Sequence, residues 1–152
     1  MSFEVTLREL YAALPVINII SAANLSTIGA MRLTNLVVTV SGYINMAESN
    51  RSNMLTEYIL IDEETKQPIT KETVKEDGTK RKEFEFKSPE AFEEMAKLWE
   101  EELNKLKTIP YKIKPKHLVN DRPGGGYDLT VQDCIKLGRL LSYDDLTKEE
   151  YG

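Results

Sequence analysis

The sequence predicts an α+β fold, and three observations lead there. Apolar residues recur at three- and four-residue steps through most of residues 6–60, the segment 61–87 is charged and turns at Asp77-Gly78, and two later stretches each open on a helix-capping signature. At 152 residues the chain has the size of one domain. We read it as 1–152 in a single domain: a helical hairpin over 6–60, a charged β-hairpin over 61–87, a helix over 88–107, and an extended segment, Gly-rich loop, C-terminal helix and tail over 108–152.

Leu7, Leu10, Tyr11, Leu14, Ile17 and Ile20 form the first helical stripe. Thr6 is its N-cap, and Glu9 three residues later completes a capping box. Pro15 falls inside the stripe and is expected to kink or split it. Asn24 to Thr27 reads as the break before a second helix, on which Leu33, Leu36, Val37, Val40, Ile44 and Ala47 continue the spacing. A strand competes over Leu36 to Val40, which is rich in β-branched residues, but no sustained alternation supports it.

Asp77-Gly78 favours a tight hairpin turn between Thr70–Lys75 and Thr79–Phe86, with Phe84 and Phe86 on one face. Ser88 then caps a helix with Pro89 at its first position and Glu90, Glu93 and Glu94 near the positive end of its dipole. Phe92, Met95, Ala96, Trp99, Leu103 and Leu106 make its apolar stripe, so the helix is expected to run to about Thr108. Tyr111 to Leu118 reads as extended, with Lys112, Lys114 and Lys116 on one side guarding a strand edge. Thr130 and Asp133 cap a last helix with Val131, Cys134, Ile135, Leu137, Leu140 and Leu141 as its apolar side, followed by an acidic tail expected to fray.

Charge is unevenly distributed. Between Leu10 and Ala47 only Arg32 is charged, in a chain that is 30% Asp, Glu, Lys and Arg. Covering such a stretch stabilises by roughly 25 cal/mol per Å², so something must cover it. It carries more apolar surface than one side of a helical hairpin hides. Leu33, Leu36, Val37, Val40 and Ile44 are therefore the candidate interface, with a second copy of the chain as the expected partner.

The 22 uncharged residues from Leu10 to Met31 are long enough to span a bilayer, but Pro15, Asn18, Ser21, Asn24 and Gly29 make them too polar. A membrane partner is thus disfavoured. No basic segment precedes an apolar one at the N-terminus, and no secretory leader is expected. The balance of 25 acidic to 20 basic residues also disfavours nucleic acid. One cysteine, Cys134, excludes an internal disulfide.

Reactive groups are few. His117, Asp121 and Cys134 are the only trio resembling a nucleophilic site, and Cys134 is more simply a small buried hydrophobe. We expect no catalytic residues, no cofactor and no metal, since one His and one Cys make a poor zinc site. Arg122, Gly124, Gly125 and Gly126 form a candidate ligand loop ahead of the last helix. They lack the Walker and dinucleotide patterns, and Asp128 would repel an anion, so a flexible loop is the simpler reading.

The opening Leu7-Arg8-Glu9-Leu10-Tyr11-Ala12-Ala13-Leu14, the long second helix, the charged hairpin, the Glu-rich helix and the segment Leu129-Thr130-Val131-Gln132-Asp133 together resemble small accessory proteins of tailed bacteriophages and prophages. The second helix departs from that pattern in being more β-branched and less charged. The resemblance implies a phage origin, no known catalytic residues and a role in virion assembly or in handling the host, in the virion or host cytoplasm. With the uncharged N-terminal stretch it leads us to expect a non-enzymatic accessory or virion protein acting through protein–protein contacts with itself and with other phage or host proteins. The alternative is a counter-defence protein that binds a host protein or small signalling ligand through the charged hairpin and glycine loop.

Overall fold

A computed structural model describes residues 3–120 and 122–142. It is an α+β structure with four helices and two small antiparallel sheets of two strands each. In chain order these are β1 (Phe3–Thr6), α1 (Leu7–Ser21), α2 (Thr27–Tyr58), β2 (Thr70–Val74), β3 (Lys80–Phe84), α3 (Pro89–Leu103), β4 (Leu106–Ile109) and α4 (Val131–Leu137), with 3-10 turns at Pro115–His117 and Gly138–Leu140. The residues divide into two compact units: one holds those up to Asn45 and from Leu103 onward, the other Met46–Glu102. No helix is long and apolar enough to cross a membrane among the described residues.

In the first unit the predicted capping box is formed. The Glu9 amide donates to the Thr6 hydroxyl at 3.2 Å, and the Thr6 amide donates to Glu9 Oε1 at 3.1 Å. The same carboxylate receives Arg139 through two guanidinium nitrogens, with Nε at 2.8 Å from Oε2. Arg139 holds the Glu9 carboxyl below the usual carboxylate range, against a smaller opposing effect of partial burial. The N-terminus of α1 is thereby tied to the turn that follows α4, and α4 rather than α2 is the closest helical neighbour of α1.

Pro15 does not split α1, which continues through it. The proline lies on the exposed face, where water can serve the carbonyl that its missing N–H leaves behind. Leu7, Leu10, Ala13, Val16, Ile17 and Ile20 face the core. The linker Ala22–Ser26 makes the expected break, and Ser26 caps α2: its hydroxyl accepts from the Gly29 amide at 3.3 Å. The β-branched stretch Leu36 to Val40 is helical, because Leu33, Leu36, Val40 and Ile44 recur on one face and are buried there.

Two strands escaped the sequence reading. Phe3–Thr6 pairs antiparallel with Leu106–Ile109, Phe3 opposite Ile109 and Thr6 opposite Leu106. The expected helix to Thr108 therefore ends at Leu103, and Leu106 is an exposed strand residue and not part of a buried helical stripe. The segment Tyr111–Leu118 is not a lysine-guarded strand either. Ile113 makes a single parallel bridge to Leu141, and Pro115–His117 winds into a 3-10 turn. Lys112 lies over the Phe3 ring at 5.1 Å.

The second capping box also forms, with the Asp133 amide donating to the Thr130 hydroxyl at 3.1 Å. The Tyr127 hydroxyl donates to Asp133 Oδ2 at 2.7 Å. Backbone hydrogen bonding at Thr130 and this phenol keep the Asp133 carboxyl below its ordinary range. The apolar side of α4 differs from the expectation. Val131 and Ile135 are exposed, and burial falls to Leu137, Leu140 and Leu141, which follow Asp133 at helical steps on the face turned away from Val131 and Ile135. The expected frayed tail after Ser142 lies outside the described residues.

In the second unit the Asp77-Gly78 signal is realised. Gly78 adopts φ +85°, and the hairpin closes with the Lys75 amide donating to the Thr79 carbonyl at 2.8 Å. Val74 faces Lys80 and Thr70 faces Phe84 across the ladder. Chain leaving α2 adds to this hairpin: Ile59 bridges Phe86, and the Leu60 amide donates to the Glu85 carbonyl at 2.7 Å. Ser88 caps α3 as predicted, accepting from the Ala91 amide at 3.0 Å.

Candidate functional site

The five residues read as a candidate interface turn inward. Leu36 and Val40 are fully buried, Leu33 and Ile44 nearly so, and Val37 is half-buried. The large exposed apolar residues of α2 within the first unit lie elsewhere: Ile28, Met31 and Val38. With Asn35 and Gly42 they recur at steps of three and four residues, which on a 3.6-residue helix sets them opposite the buried stripe. Gly42 is exposed, and a Cβ added to it would meet nothing within 4 Å.

The glycine loop is occupied with the fold itself. The Gly125 amide donates to the Arg122 carbonyl at 2.8 Å and the Gly126 amide to the Asn24 carbonyl at 2.7 Å. The Asn120 side-chain amide donates to that same Asn24 oxygen at 3.0 Å, so the loop braces the linker between α1 and α2. Gly126 has φ +83° and a Cβ there would stand 3.0 Å from the Leu118 carbonyl, which requires glycine for structural reasons. Amides committed to carbonyls do not cradle a phosphate. Arg122 and Gly124 are exposed on this loop.

His117 ends the 3-10 turn, and its backbone carbonyl packs on α2 at Gly29. Cys134 is a half-buried free thiol on α4, and Asp121 lies outside the described residues. Among the described residues no group of His, Cys, Asp and Glu is arranged to hold a metal ion.

A site absent from the sequence reading opens in the second unit, as a groove of about 1000 Å³. Phe86 and Phe92 meet edge to face at 5.0 Å and 83° along it, and Arg51 of α2 lies over the Trp99 ring at 5.4 Å. Phe92, expected in the buried stripe of α3, is 54% exposed. Arg51, Lys71, Arg81, Lys82 and Lys87 line the walls, against two acidic residues, Glu83 and Glu93. Arg51 also reaches Glu48 at 4.0 Å, whereas Lys71, Arg81, Lys82 and Lys87 form no salt bridge with any described residue. Alternation in the hairpin hinted at this, but the contributions of Arg51 and Trp99 come from separate helices.

No known protein family, curated protein or solved structure matches the chain.

Proposed function

We propose that the protein is a non-enzymatic accessory or assembly protein that works through protein–protein contacts, first with a second copy of itself. The observation that supports this is the outer stripe of α2. Glycine inside a helix costs about 1 kcal/mol relative to alanine. None of the described residues requires glycine at position 42, yet it stands in line with Ile28, Met31 and Val38 on the exposed face. A helix packed from outside would account for both the missing side chain and the exposed apolar ones. The stripe is uncharged, so it suits a partner of the same character, and two copies of α2 meet that condition. The resemblance to small tailed-phage proteins supports a role for this self-association in virion assembly.

Light scattering across a concentration series tests the reading. The native chain should form a defined oligomer, and Val38→Glu should convert it to monomer with its helical content intact. A native chain that stays monomeric at high concentration would overturn it. A second reading, capture of a host protein or small signalling ligand by the charged hairpin, is favoured by a separate observation: the cationic groove, and not the Gly124–Gly126 loop.

A further inference from the structure

We propose that the groove of the second unit binds a free nucleotide, its phosphates among the lining cations Lys71, Arg81, Lys82 and Lys87 and its base against the exposed aromatic rings. This rests on the ligand-capture reading and is independent of self-association.

Charge is the first ground. Within Met46–Glu102 acidic residues outnumber basic ones by 16 to 9. Yet the groove collects five cations against Glu83 and Glu93, and four of those cations make no salt bridge with a described residue. Like charges gathered on one concavity repel, and an anion with several charges relieves that repulsion as it binds. The cations come from α2, both strands of the hairpin and the loop before α3, so they do not form a track along one element.

The rings are the second ground. Phe92 and Phe84 are 54% and 41% exposed, and Trp99 is half-buried beside Arg51. Exposed aromatic rings and unpaired cations lining one groove suit a ligand that carries a π surface and phosphates together, and base–aromatic stacking contributes to such binding.

Compactness is the third. The surface of α3, which lines the groove, exposes Glu90, Glu94, Glu100 and Glu101, and a long strand continuing over that helix would meet them. Those charges lie within a Debye length of anything on the surface of α3 and would repel an extended polyanion. A free nucleotide keeps its charge inside the cationic patch.

Trp99 is the only tryptophan of the chain, so its fluorescence reports on this groove. The full-length protein is titrated with adenosine and guanosine triphosphates, inorganic pyrophosphate, an oligothymidylate and polyglutamate, following Trp99 emission and heat of binding. Both triphosphates should give saturable changes that weaken as salt is added, with pyrophosphate at least about tenfold weaker because it has no base to stack. The double variant Arg81→Glu, Lys82→Glu should lose at least about tenfold in affinity and Phe92→Ala several-fold, both with unchanged circular dichroism. All these side chains are exposed, which keeps folding out of the comparison. Neither triphosphate binding at millimolar concentration overturns the proposal. So does tighter binding of oligothymidylate or polyglutamate, pyrophosphate binding as well as the triphosphates, or full affinity in the double variant. Light scattering on the same samples reads self-association separately.

Discussion

The backbone carbonyl oxygen of His117 stands 1.9 Å from where a Cβ on residue 29 would be, so Gly29 and His117 occupy positions that exclude each other's alternatives. The contact is with backbone, and no side-chain rotation relieves it. Gly29 is buried in the first turn of α2, and the 3-10 turn ending at His117 depends on its lack of a side chain.

Gly29→Ala should therefore destabilise the protein by about 2–3 kcal/mol, since either α2 or the turn must move to admit one methyl group. Gly42→Ala should stabilise the protomer by up to about 1 kcal/mol, because nothing meets the added carbon. Thermal unfolding of the two variants at low protein concentration checks this opposition. Equal effects would mean that the close approach at position 29 is absent in solution.

Acid should unfold the protein partly through Glu9. Its folded-state carboxyl titrates below its ordinary value, so its stabilisation is complete above about pH 4.5 and is lost as pH falls through the lower folded value. Asp133 acts in the same direction through the second capping box. Glu9→Gln should lower stability at neutral pH and flatten the acid limb of a plot of Tm against pH. Thr6→Ala, which removes the N-cap hydroxyl, is expected to cost about 1 kcal/mol. An acid limb identical in native and variant protein would show that the Arg139 pairing contributes nothing in solution.

The two units should differ in local stability. Of the 20 apolar residues buried among those described, only Ala47, Ile59 and Met95 belong to Met46–Glu102. Opening free energy follows buried apolar contact, so amides of β2 and β3 should exchange with solvent hydrogen well before those of α1. Exchange at equal rates in α1 and the hairpin would contradict this.

Along α3, Met95→Ala should cost about 2 kcal/mol or more, whereas Phe92→Ala should cost far less. Sequence spacing places the two on one stripe, but Met95 is 7% exposed and Phe92 54%. Urea denaturation of both variants distinguishes the burial seen here from a helix buried along the whole stripe.

The signals legible in the chain were local. Thr6 with Glu9, Thr130 with Asp133, Ser88-Pro89 and Asp77-Gly78 each act within four residues, and all four form the element they announce. The strands β1 and β4 were illegible because each is four residues long and its partner lies about a hundred positions away. Leu106 continued the helical spacing of Leu103, and only pairing with Thr6 made it a strand residue. The groove was hidden for the same kind of reason. Phe92 and Trp99 have the spacing of core residues, and their exposure depends on how much chain arrives to cover them. Val131 and Ile135 misled likewise, by spacing without cover.

The pairing of Phe3–Thr6 with Leu106–Ile109 also sets a timetable. A ribosome adding about 5–20 residues per second takes roughly 5–20 s to travel from the first strand to its mate. During that interval Met46–Glu102, with its hairpin and helix α3, emerges as one continuous stretch. The N-terminal segment must wait, with Leu7, Leu10, Ile17 and Ile20 still lacking the Ile109, Leu137 and Leu140 that share their core. The most apolar part of this chain is made first and housed last, so its safe passage through synthesis depends on what shelters a nascent helix in those seconds.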